Sequence, residues 1–244
     1  MTDTLLDSLA DLVTGSCCVG CERPGRMWCR ACEADLPGAP FLAWPTPCPP
    51  GLAPPWAAAE YAGPVATMVV GHKERRQLAL RRPLARLLAS AVRGALPRPT
   101  ALLLVPVPSR GSTVRSRGHD PLDAITRRAA RLLGEVGYDA QVTPLLVSHR
   151  SVRDQAGLDA QERAANLRGS LACHSGRLRR LALTRGTGRV VVCDDVLTTG
   201  ATAREAQRAL NASGVTVEAV TTVAATRRRV RRPGPPSGSS PASQ

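Results

Sequence analysis

The chain has 244 residues, 43% of them apolar, which is enough for one sizeable folded domain and a small additional module. Its formal net charge of +14 favours phosphate-bearing ligands or nucleic acid, while an aromatic content of 2% argues against a platform that stacks bare bases. It has no run of about 18 apolar residues, and its opening is amphipathic and acidic, so we expect a cytoplasmic protein without membrane insertion.

Four cysteines in two C-x-x-C pairs mark the first part of the chain. Leucines at helical spacing over residues 5–13 predict a short helix that leads into them. The pairs are Cys18 with Cys21 and Cys29 with Cys32. Two such pairs place four thiolates tetrahedrally around zinc in a closed structural site, and the spacing favours Cys18 over Cys17. A disulfide framework is the alternative.

Composition divides the chain into four parts. Residues 1–45 are predicted to form the helix and zinc-binding module. Prolines crowd the stretch up to Pro55, which cannot hold a regular helix or an internal strand, so residues 46–55 are read as a linker. The main domain is predicted over 56–226. Residues 227–244 form a basic tail that we expect to be disordered, and its five arginines leave about +9 for the rest (14 − 5 = 9).

Strand-like and helix-like segments alternate within the main domain. Predicted helices span 64–72, 83–96, 121–137 and 202–214, and predicted strands span 57–62, 100–108, 189–195 and 215–226. The strands at 100–108 and 189–195 are continuous apolar runs, typical of strands buried on both faces of a parallel sheet. Such alternation implies right-handed crossovers and predicts an α/β fold with a mostly parallel sheet flanked by helices.

The segment at 190–202, VVVCDDVLTTGAT, carries the clearest functional pattern. Its strand leads to Asp194 and Asp195 at the sheet edge where open parallel sheets bind ligands. The residues that then turn into a helix are Thr198, Thr199, Gly200, Ala201 and Thr202. The N–H groups and dipole at this helix start favour a phosphate. Carboxylates would repel a phosphate and instead suit ribose hydroxyls or hydrated magnesium.

Two other interpretations of this segment were weighed. One is an ordinary strand, turn and helix with two exposed acids. The other is a receiver-like acidic strand end that awaits phosphorylation, which leaves the TTGAT sequence unexplained. Because adjacent carboxylates disfavour joint ionisation, we expect Asp194 and Asp195 to repel each other until a ribose or hydrated magnesium relieves them.

The same segment resembles the 5-phosphoribosyl 1-pyrophosphate (PRPP) signature of type I phosphoribosyltransferases. The resemblance implies that Asp194 and Asp195 bind the ribose hydroxyls and that residues 198–202 bind the 5-phosphate. It also implies a type I phosphoribosyltransferase-like fold and magnesium on the pyrophosphate.

With the cysteines included, the chain resembles the ComF family, phosphoribosyltransferase-like proteins linked to DNA uptake in natural competence. The resemblance extends to about residue 226. Other matching positions are His72-Lys73-Glu74, the VPVPS segment at 105–109, Arg117-Gly118, Gln155, Leu158, Arg163 and Asn166. The chain departs from the family where Arg-Gly-Phe-Asn-Gln becomes RGHDP at 117–121, and it lacks the further C-x-x-C pairs of many relatives.

Four basic residues are candidates for contacting the pyrophosphate. Lys73 carries a compact ammonium that binds phosphate as a point charge, although a solvated helix end is an equal alternative. Arg110, Arg115 and Arg117 follow a strand end on the ligand side, where they would meet pyrophosphate, a nucleic-acid strand or only solvent. Residues 150–157 lie where transferases of this fold carry a flexible lid.

These patterns lead to a functional prediction with two alternatives. The chain is predicted to bind PRPP or another phosphoribosyl ligand with magnesium, as a transferase of unknown acceptor with a role in DNA uptake. One alternative is a non-catalytic competence-type protein that binds single-stranded DNA, and the other is a sensor of PRPP or nucleotides. No general base is identifiable, so the sequence leaves catalysis itself open.

Overall fold

A six-stranded sheet forms the centre of the computed structural model, which describes residues 17–109, 120–148, 169–184 and 188–226. Its strands are β1 (Phe41–Leu42), β2 (Pro55–Glu60), β3 (Ala101–Pro106), β4 (Asp139–Val142), β7 (Arg189–Leu197) and β8 (Val217–Ala225). Their spatial order is β1-β2-β8-β7-β3-β4, and only the β1–β2 pair is antiparallel. A separate antiparallel pair consists of β5 (Leu146–Ser148) and β6 (Leu171–Cys173). The predicted mostly parallel α/β sheet is confirmed.

Helices cover both faces of this sheet. They are α1 (Arg30–Ala34), α2 (Gly63–Glu74), α3 (Arg81–Ala95), α4 (Pro121–Gly134), α5 (Ser175–Thr184) and α6 (Ala201–Asn211), with a 3-10 turn at Leu78–Leu80. The core on one face includes residues of α2, α3 and α4, and the core on the other face includes residues of α6 and β5. Burial on both faces explains why β3 and β7 are almost purely apolar in sequence. Within the described ranges, no helix has the length and apolarity needed to cross a bilayer.

The predicted element bounds differ from the observed ones in two instructive places. Strand β7 extends to Leu197, two residues beyond the prediction, because its pairing with β8 continues through Asp194↔Thr222 to Leu197↔Ala225. Helix α3 begins at Arg81, ahead of Pro83, because the 3-10 turn leads directly into it. The short elements α1, β1, β4, β5, β6 and α5 were not predicted. The helix expected over 5–13, the lid over 150–157 and the tail lie outside the described residues.

The cysteine module packs against α3. Arg86 Nη1 lies 2.6 Å from Glu33 Oε1, and the partly buried Trp28 packs against the core on that face of the sheet. A Cβ added to Gly94 would lie 2.5 Å from Pro40 Cγ, so only glycine lets the chain cross α3 at this point. These contacts fix the module to the sheet domain at α3.

The proline-rich segment at 46–55, predicted as a linker, lies against α6. The buried Gln207 side chain accepts a hydrogen bond from Ala53 N at 2.9 Å and donates one to Gly51 O at 3.0 Å. Arg204 Nε donates to Pro50 O at 2.8 Å. These side chains satisfy backbone groups that proline-rich chain cannot pair within itself.

Replacing Gln207 should loosen this segment. In Gln207→Leu the amide N–H of Ala53 loses its buried acceptor, so we expect the free energy of unfolding to fall by about 1–3 kcal/mol in urea denaturation. Arg204→Met removes a more exposed contact and is the matched control. Equal losses in the two variants would show that the Gln207 amide has no special part in holding residues 51–53.

Candidate functional site

The two acids of β7 line a large cavity in the described part of the chain. Strand β7 is hydrogen-bonded to β3 on one side and β8 on the other, and this pairing carries Asp194 and Asp195 to the carboxyl edge of the sheet. The cavity has a volume of about 610 Å³. Its polar lining consists of Tyr61, His72, Lys73, Glu74, Ser109, Asp194, Asp195, Thr198 and Thr202, and its apolar lining includes Val69, Val70 and Val196.

Backbone N–H groups orient both carboxylates. Asp194 Oδ1 accepts a hydrogen bond from Asp195 N at 2.9 Å, and Asp195 Oδ1 accepts one from Val196 N at 2.8 Å. The pKa of Asp194 is raised to about 8, because burial and the neighbouring Asp195 charge both disfavour its ionised form. The adjacent carboxylates therefore carry the electrostatic cost that their sequence indicates.

Lys73 contacts the acidic pair directly. Its Nζ, in the last turn of α2, donates to Asp195 Oδ2 at 2.6 Å. Burial opposes the charge on Lys73, but the carboxylates of Asp195, Asp194 and Glu74 together outweigh burial and raise the pKa of Lys73 above its usual value. The expectation that only ligand relieves the acidic pair is therefore wrong for Asp195. This contact was not predicted from the sequence, because its partners are 122 residues apart.

The residues of the turn after β7 differ in whether they line the cavity. Thr198 and Thr202 line it, while Ala201 N donates to Thr199 Oγ1 at 3.4 Å within the turn. Gly200 has a left-handed φ of 73°, and a Cβ added there would lie 3.0 Å from Pro45 Cγ. Glycine is thus needed both for the backbone conformation and for close packing of the proline-rich segment.

Asp120 is a residue of this region that sequence reasoning did not assign. Its carboxylate accepts hydrogen bonds from Ser109 N at 3.1 Å and Ser109 Oγ at 2.9 Å, and it caps α4 through Leu122 N at 3.0 Å. Aspartate followed by Pro121 is a typical helix start, so the sequence did contain this signal. The pyrophosphate candidates Arg110 and Arg117, with Arg115, lie between Ser109 and Asp120 but outside the described residues.

The four cysteines of the two C-x-x-C pairs come together at the N-terminal module. The sulfur atoms of Cys18, Cys21, Cys29 and Cys32 all lie within 4.8 Å of one another. The Sγ distances are 3.8 Å for Cys18 to Cys32 and 3.6 Å for Cys21 to Cys29. Cys17 is exposed, and its backbone pairs with Pro24 instead.

These distances fit a metal rather than disulfides. Sulfurs at the corners of a tetrahedron with metal bonds of about 2.3 Å are about 3.8 Å apart, whereas a disulfide needs about 2.05 Å. Burial opposes ionisation of Cys18, but backbone N–H groups from Cys29, Gly20 and Cys21 outweigh it and lower the pKa of the Cys18 thiol to about 6. The cluster could therefore hold a structural metal such as zinc.

Comparison with known proteins gives one relevant similarity. No protein-family model matches the chain. The chain is similar to competence protein F of Haemophilus influenzae, with 29% identity over 163 residues. The matched stretch covers 64% of this chain and 65% of that relative, so the chain spans just under two thirds of the relative's length. This similarity supports the resemblance to the ComF family.

The raised pKa of Asp194 predicts a pH-dependent cost to folding. The unfolded state releases this proton near 3.8 and the folded state only near 8, so stability should fall as pH rises through that range. We expect Asp194→Asn to gain stability over the parent by at least about 1 kcal/mol between pH 5 and pH 8, measured by urea denaturation. Asp35→Asn removes an exposed carboxylate and is the control. An equal pH trend in both variants would contradict the assignment.

Proposed function

We propose that the cavity binds PRPP or a related phosphoribosyl ligand with magnesium, and that the chain is a phosphoribosyltransferase-like protein. The observation that supports this most is the pair Asp194 and Asp195 at the cavity rim, followed directly by the turn into α6. Acceptors for hydroxyls and donors for a phosphate are thereby placed side by side. A phosphoribosyl group carries that same sequence of functional groups.

Each part of the site has a physical role in this proposal. The carboxylates of Asp194 and Asp195 accept hydrogen bonds from the two ribose hydroxyls. The hydroxyls of Thr198 and Thr202, with the backbone N–H groups that begin α6, donate to the 5-phosphate. Thr199, Gly200 and Ala201 supply the backbone of the turn. Magnesium, when bound with the ligand, would neutralise pyrophosphate charge, and the carboxylates of the rim offer the oxygen ligands it prefers.

The reaction that we propose for this site is transfer of a phosphoribosyl group to an acceptor. An acceptor would displace pyrophosphate from the ribose, and the chain would contribute by holding the ribose in place and by stabilising charge as the bond breaks. The apolar side chains of Val69, Val70 and Val196 leave room for an acceptor beside the acids. The chemical identity of that acceptor is a question for a screen of nucleophiles.

A role in competence is favoured by the name of the relative, competence protein F. Together with the net charge of +14, it supports a second candidate, in which the chain binds single-stranded DNA during DNA uptake without turnover. A third candidate, a non-catalytic sensor, shares the PRPP site. Binding of PRPP without release of pyrophosphate would favour the sensor, and binding of single-stranded DNA without PRPP would favour the second candidate.

Calorimetry with PRPP and magnesium tests the proposed site. The double variant Asp194→Asn, Asp195→Asn should keep its fold yet bind PRPP at least about 2 kcal/mol more weakly, roughly 30-fold, because charge-assisted hydrogen bonds to the ribose are lost. Thr199→Val should weaken the same ligand by less. If the parent binds PRPP, acceptors are then screened for pyrophosphate release.

The controls separate a binding role from a structural one. Asp35→Asn, outside the cavity, should bind PRPP as the parent does. A double Asn variant that unfolds would show that the acids are structural. A folded double variant with parental affinity for PRPP would show that the loop does not recognise ribose.

We also propose that the ion held by the four cysteines is zinc. Purified protein prepared without chelator should contain about one zinc per chain in elemental analysis, because four thiolates form a closed structural site. Cys29→Ser should release the zinc and unfold mainly the N-terminal module. Cys48→Ser, at an exposed cysteine outside the cluster, should keep it, and parent protein without zinc would overturn the proposal.

A further inference from the structure

Lys73 is the sole lysine of the chain among 33 lysine and arginine residues. Its side chain lines the cavity and is 44% exposed, while that of its partner Asp195 is 17% exposed. The ammonium is thus the more solvent-accessible partner of the ion pair. Among the described residues that line the cavity, Lys73 is the one lysine or arginine.

Both oxygens of the Asp195 carboxylate have protein donors without ligand. Oδ1 accepts from Val196 N at 2.8 Å, and Oδ2 accepts from Lys73 Nζ at 2.6 Å. The first bond is local and leaves the strand intact when a ligand binds. The second joins two elements that are distant in sequence, so a ribose hydroxyl that approaches Oδ2 has to share it with the ammonium or displace it.

We propose that Lys73 is an internal counter-ion that occupies the ribose-binding carboxylate of Asp195 until a pyrophosphate group draws it away, and that it thereby selects PRPP over ribose 5-phosphate. This inference rests on the proposed function of the cavity. Ribose 5-phosphate competes with the ammonium for Asp195 and offers it no partner nearby. PRPP competes for the same oxygen and brings a pyrophosphate that the released ammonium can bind.

The chemistry of lysine suits such an exchange. An ammonium on a four-carbon stem is a point charge that pairs with one oxygen at a time, whereas a guanidinium binds a carboxylate through two parallel hydrogen bonds. The Lys73 side chain is also partly exposed, so movement toward the cavity needs no rearrangement of the core.

Three ligands distinguish this role from a general electrostatic one. Calorimetry is carried out with PRPP, ribose 5-phosphate and inorganic pyrophosphate, each with magnesium, on the parent, on Lys73→Met and on Arg131→Met. Arg131 is exposed on α4 and does not line the cavity. Its variant removes one positive charge, as Lys73→Met does, and is the matched control. We expect Lys73→Met to bind PRPP and pyrophosphate at least 10-fold more weakly than the parent does, which is a loss of at least about 1.4 kcal/mol. We expect it to bind ribose 5-phosphate as tightly as the parent or more tightly.

The outcomes separate failure of the inference from failure of the proposed function. Parent protein that binds none of the three ligands overturns the PRPP site itself. If the parent binds PRPP, and Lys73→Met weakens the binding of PRPP and ribose 5-phosphate equally, the PRPP site is supported but the selective role of Lys73 is overturned. Unchanged binding of both ligands in Lys73→Met, or changes of the same size in Arg131→Met, also overturns the selector.

A second measurement follows the Lys73 amine itself, and its main comparison is the parent protein with and without PRPP. Reductive methylation with ¹³C-formaldehyde labels Lys73 and the N-terminal amine, and the Lys73 signal is the one missing from Lys73→Met. PRPP should move this signal, and Asp195→Asn should move it without ligand because the ion pair is lost. Saturation with PRPP that leaves the Lys73 signal unchanged would contradict the exchange.

Discussion

Two adjacent carboxylates inside a strand that stays paired beyond them are the constraint on which the rest of the site depends. The pairing of β7 with β3 ends at Cys193, but its pairing with β8 continues to Leu197 and keeps Asp194 and Asp195 within the strand. The cost of like charge is therefore met by neighbours: backbone N–H groups hold one oxygen of each acid, and Lys73 pairs with Asp195. These contacts do not fully offset burial and the neighbouring charge at Asp194, so the pKa of Asp194 remains raised.

Helix α6 connects the turn after β7 to two segments that flank it. Its first residue follows Gly200, and Arg204 and Gln207 hold the proline-rich segment through backbone oxygens and an amide N–H. Between them in sequence, the buried Glu205 accepts from Leu171 N at 3.2 Å and pairs with Arg208, which fixes the β5–β6 pair. One helix therefore holds both the proline-rich segment and the β5–β6 pair next to the turn after β7.

The sequence was informative where function and local structure share the same residues. The apolar run before Asp194 predicted a buried strand, and the TTGAT turn predicted the start of α6. Contacts between distant segments were not predictable in this way. Composition identified residues 46–55 as a linker, yet Ala53 is held by Gln207, 154 residues away. The strands β4, β5 and β6 have three or four residues each, too few to show periodicity.

Charge at the cavity differs in sign from charge on the chain. The net charge is +14, but the described lining contains the acids Glu74, Asp194 and Asp195 and, among lysine and arginine, only Lys73. The pyrophosphate of the proposed ligand would meet one lysine and no arginine among the described lining residues. Further positive charge would come from a bound cation or from Arg110 and Arg117, the predicted pyrophosphate contacts outside the described ranges. The acidic lining is thus consistent with the proposal that magnesium accompanies the ligand.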